Sequence, residues 1–269
     1  MVIIVPIHEF NDGVKKYLDN ALNSIQRQKD VSNLQALLVY PEKLHEDISL
    51  YTITEKEKYT FKITLLSNPG NFDFQSQINL AVSTIESDYF SILEFDDEYA
   101  EIYFKNVEEY IEAYPEVDVF LPMTIQVDKY GKALSLINDA AWSRDFVGDD
   151  GEQGFLSLES VKKYSQFSIT GGVFKRTSFN TAGKFKKNLK LTFTYEFMLR
   201  TLNMDMKIMN IAKVGYKHVV DRDDSLFIQY TNGMSLKERK FWFETANKEY
   251  YFPQDRDIDV SSLETVEAQ

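Results

Sequence analysis

The chain has 269 residues, of which 43% are hydrophobic, with no cysteine and a formal net charge of −12 at pH 7. This length suits one large α/β domain with an irregular extension and allows a substantial buried core. The lack of cysteine excludes disulfides, thiolate metal sites and cysteine nucleophiles, and the acidic balance disfavours a nucleic-acid coat or an anionic membrane surface as partner.

The amino-terminal apolar stretch follows Met1 directly, with no basic leader before it. No apolar run approaches the roughly 18 residues that a membrane span needs. Together with the lack of disulfides, these features lead us to expect a cytoplasmic protein.

The first part of the chain alternates strand and helix patterns. Residues 2–7 predict a buried strand, and apolar residues then recur at helical spacing over 14–25, with Asp12 as the predicted N-cap. Residues 34–40 and 61–66 predict the second and third strands. Strands separated by helices imply a mostly parallel sheet, whose ligands bind beyond the carboxyl ends of the strands.

A helix over 78–85 leads into an apolar aromatic run at 89–93 that ends in carboxylates at Glu94, Asp96, Asp97 and Glu98. These carboxylates would repel one another unless a cation neutralised them, and oxygen ligands favour Mg²⁺ or Mn²⁺. On an extended backbone, Glu94 and Asp96 would share one face and Asp97 would lie on the other. The alternative is a solvated acidic turn before a helix.

The pattern then changes from crossovers to a hairpin. A helix ends near Pro115, and a strand over 117–127 is joined by a turn at 128–132 to a return strand at 134–137. Residues 138–154 form a long polar loop that includes Trp142 and Phe146. It is either a lid or acceptor wall, or a plain surface excursion.

The remaining elements are shorter. We expect a helix over 156–164 and a strand over 169–174, in which Gly171 and Gly172 let the backbone approach a ligand closely. Thr194 is the predicted cap of a helix over 195–202. One or two strands follow in 206–220 and end near His218.

The carboxyl-terminal part is aromatic and then polar. The aromatic residues of 241–252 are expected to pack on the core. From Pro253 onward the composition predicts a frayed tail.

Positive charge is concentrated in residues 160–195, which contain no Asp or Glu. Its basic residues are Lys162, Lys163, Lys175, Arg176, Lys184, Lys186, Lys187 and Lys190. The segment is either a binding surface for an anionic partner or a solvated basic face.

Several short motifs occur in an order and spacing that resemble one enzyme family. In chain order they are Pro6-Ile7-His8-Glu9-Phe10-Asn11, Ser24-Ile25-Gln26-Arg27-Gln28, Asn68-Pro69-Gly70 with the later Asn79, Glu94-Phe95-Asp96-Asp97, Gly172-Val173-Phe174-Lys175-Arg176, Gly183-Lys184-Phe185, and Tyr216-Lys217-His218 with Ser225. Together they resemble the glycosyltransferases of family 2, over most of the first 225 residues.

This resemblance implies the GT-A fold, an α/β architecture with a mostly parallel central sheet flanked by helices and a small antiparallel extension. It implies a GT-A domain over 1–225. The composition of the remaining chain predicts an aromatic helical extension over 226–252 and an acidic, disordered tail over 253–269. The resemblance also implies a UDP-sugar donor and Mn²⁺ or Mg²⁺ as cofactor.

The resemblance assigns site residues as well. The metal ligands would be Asp96, Asp97 and His218, and His218 is otherwise a structural residue or a contact to the diphosphate. The base that deprotonates the acceptor would be Glu196. Donor-binding residues would be Pro6, His8, Phe10, Tyr40, Asn68, Asn79, Glu94 and Asp97. Residues on the acceptor side would be Gly171, Gly172, Lys175 and Arg176.

The sequence departs from the family pattern at several places. Glu196 matches a position next to the usual acidic pair, whose places fall on Phe193 and Thr194. Tyr40 stands near the usual base-contacting acid and would stack on the base instead. Ile78 replaces an arginine, and Glu94 replaces the first Asp of the metal motif.

The leading hypothesis is therefore metal-dependent transfer of a sugar, with inversion, from a nucleoside diphosphate sugar to an acceptor hydroxyl. The acceptor can be a glycan, a lipid-linked sugar, a protein side chain or a modified nucleobase, and the basic segment favours an anionic one. The alternatives are a sugar nucleotidyltransferase and a non-catalytic nucleotide-sugar or carbohydrate-binding module. Neither a Walker A nor a Gly-x-Gly-x-x-Gly motif occurs, so kinase and dinucleotide-dependent functions lack support.

Overall fold

The computed structural model describes residues 1–70, 73–142, 153–164, 166–220 and 226–263. Its strands are β1 (Val2–Pro6), β2 (Gln35–Pro41), β3 (Lys62–Asn68), β4 (Tyr89–Ile92), β5 (Glu98–Tyr99), β6 (Val119–Val127), β7 (Ala133–Ile137), β8 (Phe155–Leu156), β9 (Val173–Lys175) and β10 (Ile208–Val219). Its α-helices are α1 (Asp12–Gln26), α2 (His45–Glu55), α3 (Phe74–Thr84), α4 (Tyr103–Ala113), α5 (Leu158–Lys163), α6 (Arg176–Thr181), α7 (Phe193–Asn203), α8 (Leu226–Gly233) and α9 (Leu236–Glu249). Short 3₁₀ turns lie at Glu42–Leu44, Lys56–Lys58 and Asp139–Trp142.

The described strands form one sheet in the order β3-β2-β1-β4-β9-β6-β10-β5, with β7 beside β6 and β8 beside β10. Pairing is parallel along β3-β2-β1-β4 and between β6 and β10. Strand β9 is antiparallel to both β4 and β6, so those two run in the same direction. The mostly parallel α/β sheet is thus confirmed. The carboxyl ends of six strands lie at the same edge of the sheet, namely those of β1, β2, β3, β4, β6 and β10.

Helices bury apolar residues on both faces of this sheet, in two core clusters. Helix α1 shows the cause, because Val14, Leu18 and Leu22 recur on one face and are buried. Its N-cap is Asn11, whose side chain accepts a hydrogen bond from the backbone N–H of Val14 at 3.0 Å. The prediction of Asp12 as cap was therefore off by one residue.

Three further sequence predictions need correction. Helix α2 was missed, because only Ile48 and Tyr51 are buried on it while Leu50 and Ile53 are exposed, which leaves no clear apolar stripe. Helix α7 begins two residues before its predicted start, and its N-cap is Thr192 rather than Thr194. The strand predicted over 169–174 is confined to β9, because the backbone turns at the two glycines.

The hairpin of β6 and β7 is confirmed. Of the long loop after it, Asp139–Trp142 is a 3₁₀ turn, and Phe146 lies outside the described residues. No helix within the described ranges is long and apolar enough to span a bilayer.

The carboxyl-terminal aromatic residues pack on the core in part. Trp242 and Tyr250 are buried, whereas Tyr251 is 57% exposed. The next stretch contacts the core, because Asp255 accepts hydrogen bonds from the backbone N–H groups of Lys187 and Asn188, and the frayed tail stays a prediction. Residues 264–269 of the predicted tail lie outside the described part of the chain.

Candidate functional site

The carboxyl ends of the parallel strands bring several sequence-predicted residues to one edge. The register pairs Pro6 with Val39, and Pro41 with Asn68. The loops that carry His8, Phe10 and Glu94 leave the sheet at the same edge, after β1 and β4. Ligand sites of parallel α/β sheets lie at such an edge.

The backbone turns immediately after β4. The N–H of Leu93 still bonds to the carbonyl of Ile4 at 2.9 Å, but the N–H of Asp97 bonds back to the carbonyl of Glu94 at 3.0 Å. The side chains therefore do not alternate as they would on an extended strand. The prediction that Glu94 and Asp97 lie on opposite faces was wrong, because this turn brings them together.

Strand β10 brings His218 close to Glu94 and Asp97. Antiparallel pairing aligns β5 with the end of β10, so that Asp97 lies beside His218. The Nδ1 of His218 is 2.8 Å from Oδ2 of Asp97, and the N–H of Val219 donates to Oδ1 at 2.8 Å. Asp97 is fully buried, with both carboxylate oxygens held in place.

Glu94, Asp97 and His218 each offer one ligand atom, and these atoms all lie within 4.8 Å of one another. Two carboxylates and one imidazole fit a divalent cation such as Mn²⁺, which accepts oxygen and nitrogen ligands. Asp96, the residue that the sequence favoured most as a ligand, is not part of this group. Its assignment as a ligand stays a prediction.

The charges of the cluster act on the pKa of His218. Burial alone would lower its pKa, but the charge and hydrogen bond of Asp97, together with the charges of Glu94 and Asp96, raise the pKa to about 9. The imidazolium of His218 contributes positive charge beside these carboxylates in the metal-free protein. A bound metal would take over that role, and His218 would then lose its proton.

A buried tyrosine fixes the backbone of the cluster, and sequence reasoning did not find it. The hydroxyl of Tyr216 accepts a hydrogen bond from the N–H of Glu94 at 3.1 Å. A Cβ at Gly171, whose φ is +71°, would lie 2.3 Å from the ring of Tyr216. Gly171 therefore admits this ring, and the approach of its backbone to a ligand stays a prediction.

Two predicted donor contacts are engaged elsewhere. Tyr40 is fully buried, and its hydroxyl lies 3.0 Å from Nδ1 of His45, so neither ring face is open to a nucleotide base. The side chain of Asn79 bonds to both backbone groups of Phe185, at 2.7 and 3.0 Å. Both residues thus make contacts within the fold, and their roles in donor binding stay predictions.

The predicted base lies in a second, buried cluster of charges. Glu196 is fully buried, and its two oxygens accept hydrogen bonds from Arg200 at 2.8 and 2.9 Å. The Nζ of Lys186 is 3.0 Å from the same carboxylate and 3.6 Å from that of Glu249. A general base must reach its substrate's proton, so these surroundings favour a structural role for Glu196.

The basic segment does not form a single charged face. Lys186 is buried in the cluster just described, and Lys162 bonds to the hydroxyl of Tyr250 at 2.7 Å. On the predicted acceptor side, Lys175 bonds to the carbonyl of Pro115 and Arg176 to that of Ser87. The acceptor roles of Lys175 and Arg176 stay predictions.

No family model matches the chain. No curated protein matches it. Among solved structures, the chain is similar to S. aureus TarS 1-349 in complex with UDP-GlcNAc, with a TM-score of 0.65 and 15% identity over 92% of this chain and 65% of that one. It is also similar to S. aureus TarS 1-349 alone, with a TM-score of 0.57 and 16% identity over 81% of this chain and 60% of that one. The complex of TarS 1-349 with UDP gives a TM-score of 0.57 and 17% identity over 94% of this chain and 72% of that one.

The chain thus covers less than two thirds of the first two of these structures. At such low identity, a shared three-dimensional arrangement is what the comparison establishes. The chain has the GT-A-type α/β fold that its sequence predicted.

Proposed function

We propose that this protein is a metal-dependent glycosyltransferase that moves a sugar from a UDP-sugar to an acceptor hydroxyl. The observation that carries the proposal is the group of Glu94, Asp97 and His218 at the carboxyl edge of the parallel sheet. The sequence motifs shared with glycosyltransferase family 2 support it. So does the fold shared with TarS, which has been crystallised with UDP-GlcNAc and with UDP.

In this proposal, Glu94, Asp97 and His218 hold Mn²⁺ or Mg²⁺, and Asp96 adds negative charge beside them. The ion, when bound, supplies Lewis-acid stabilisation of the charge on the leaving diphosphate. The protein's own part is to orient its ligands: the N–H of Val219 and the hydroxyl of Tyr216 fix Asp97 and the backbone of Glu94. The loops after β1 and β3, with His8, Phe10 and Asn68, border the same edge and would bind the nucleotide.

The reaction forms a bond between the acceptor oxygen and the anomeric carbon while the bond from that carbon to the diphosphate oxygen breaks. The acceptor proton passes to a base, and the configuration inverts, as the resemblance to family 2 implies. The buried, ion-paired state of Glu196 favours a second candidate function, a nucleotide-sugar-binding module without catalysis.

A thermal unfolding screen tests the proposal. We expect UDP-sugars with Mn²⁺ to raise the melting temperature by several degrees, because a ligand at 100 times its Kd adds about 2.7 kcal/mol to the stability. Asp97→Asn should abolish this shift, whereas Glu101→Gln, an exposed site outside the cluster, should keep it. Release of UDP in the presence of acceptors would distinguish a glycosyltransferase from a binding module without catalysis. A melting-temperature shift in Asp97→Asn equal to that of the unmodified protein would contradict the proposal.

A further inference from the structure

A row of paired residues leads from the candidate metal group across the sheet. The register of β10 and β6 places His218 beside Gln126, and that of β6 and β7 places Gln126 beside Ser135. The Ser135 hydroxyl donates a hydrogen bond to Oε1 of Gln126 at 2.6 Å. Directly paired residues on adjacent strands point to the same face, and strands lie about 4.8 Å apart. Ser135 is therefore roughly 10 Å from His218 on the face that carries the metal group.

This row ends in a cavity of about 270 Å³. Gln126, Ser135, Asp139, Gln166 and Phe167 are among the residues that line it. The volume lies just below the range of about 300–1,000 Å³ that is typical of drug-sized ligands. The cavity therefore has room for a group the size of one sugar ring.

The part of the cavity wall around Asn138 is anchored to the core. The side chain of Asn138 donates to the carbonyls of Pro122 and Ser168, at 2.9 Å each, and accepts from the N–H of Ser168 at 2.9 Å. The side chain of Asn210 donates in turn to the carbonyl of Asn138. Such a wall is preformed, so a ligand would bind without first ordering it.

The lining combines hydrogen-bonding and apolar groups. The amides of Gln126 and Gln166 and the hydroxyl of Ser135 offer donors and acceptors beside the ring of Phe167. Among the described residues that line the cavity, Asp139 carries the one formal charge, and it is negative. An anionic ligand would be repelled here, whereas a neutral molecule rich in hydroxyl groups matches both kinds of surface.

We propose that this cavity binds the acceptor, and that the acceptor is an uncharged, hydroxyl-rich molecule, a sugar or a polyol. The inference rests on the proposed function, because the donor sugar would be held by the metal group one strand away. It departs from the anionic acceptor that the basic segment predicted, since Lys162 and Lys186 of that segment are engaged with other side chains.

Binding followed by NMR tests this proposal without relying on turnover. Isotope-labelled protein is titrated with methyl glucoside and N-acetylglucosamine, and separately with glucose 6-phosphate, both alone and with UDP and Mn²⁺. We expect the neutral sugars to shift the signals of Gln126, Gln166 and their neighbours at millimolar concentration, and the phosphorylated sugar to bind more weakly there. Gln166→Ala should weaken this binding about fivefold, as expected for one lost hydrogen bond.

The matched control is Gln35→Ala, which changes a glutamine in a separate depression at the amino-terminal edge of the sheet. It should leave sugar binding unchanged. Stronger binding of the phosphorylated sugar, or no shifts at the cavity in either state, would overturn the proposal. Binding of UDP and Mn²⁺ in the same samples reports on the proposed function separately, so the two can fail independently.

Discussion

Two buried carboxylates, Asp97 and Glu196, have opposite surroundings. Asp97 lies at the sheet edge with Glu94 and Asp96 near it, and His218 is the cation in contact with it. Glu196 lies in the core in contact with two cations, Lys186 and Arg200. Lys186 also lies near Glu249, which pairs in turn with Arg256. Asp97 lies beside two further potential metal ligands, whereas the carboxylate of Glu196 is held by Arg200 and Lys186, and burial alone does not distinguish the two.

Breaking the core cluster of Glu196, Lys186 and Arg200 should have the largest effect. Glu196→Leu removes the carboxylate that Arg200 and Lys186 share, and loss of one partner from a buried pair typically costs about 3–5 kcal/mol. We expect that decrease in the free energy of unfolding, measured by urea denaturation. The double variant Glu196→Leu with Lys186→Met should recover part of it. If Glu196→Gln instead kept full stability and lost only transfer activity, Glu196 would be the base after all.

The carboxylates around His218 should make stability depend on pH. The pKa of His218 is raised to about 9 in the folded protein, against about 6.5 when unfolded, so its contribution is complete below pH 6.5 and is lost as the pH rises through 9. The contribution is on the order of 3 kcal/mol, because one pKa unit corresponds to about 1.4 kcal/mol. Metal-free protein should therefore lose stability over this interval.

His218→Gln should remove that pH dependence in urea unfolding measured from pH 6 to 10. His45→Gln changes an exposed histidine outside the cluster and serves as the control. A pH dependence that persisted in His218→Gln would show that His218 is not the titrating group.

A smaller effect is expected from Tyr216→Phe, and it distinguishes a residue that positions the metal group from one that only packs in the core. Tyr216→Phe removes the acceptor for the N–H of Glu94 and should cost about 1–2 kcal/mol, with about tenfold weaker Mn²⁺ binding by calorimetry. Tyr99→Phe removes a buried hydroxyl that lies 2.7 Å from that of Ser91. Tyr99→Phe should lower the stability but leave the Mn²⁺ affinity unchanged. Equal Mn²⁺ affinities in the two variants would show that Tyr216 does not position the metal group.

The smallest effect concerns two adjacent lysines that the sequence treated alike. Lys187 is exposed and uses its backbone N–H, not its side chain, to bind Asp255. Lys187→Glu should change the free energy of unfolding by less than about 0.5 kcal/mol and leave sugar binding unaltered. Lys186→Glu places a third carboxylate in the buried cluster and should destabilise the protein severely. Loss of sugar binding in Lys187→Glu would instead support the hypothesis that the basic segment 160–195 binds the acceptor.

Local patterns in the sequence were sufficient for the architecture. Apolar runs predicted β1, β2, β4 and the β6–β7 hairpin, and helical spacing predicted α1, because each of these signals depends only on residues close together in the chain. The same local signals marked the carboxylates after Leu93 and placed His218 near the end of a strand. They failed for α2, whose exposed Leu50 and Ile53 obscure its buried face.

Only the tertiary structure decided which of these residues meet. Asp97 and His218 are 121 positions apart in the chain, and the pairing of β5 with β10 brings them together. The turn after β4 selected Glu94 as their neighbour, and the contacts of Lys186 and Arg200 neutralised Glu196. Such partnerships depend on strand register and on distant charges, and a sequence pattern carries no direct record of either.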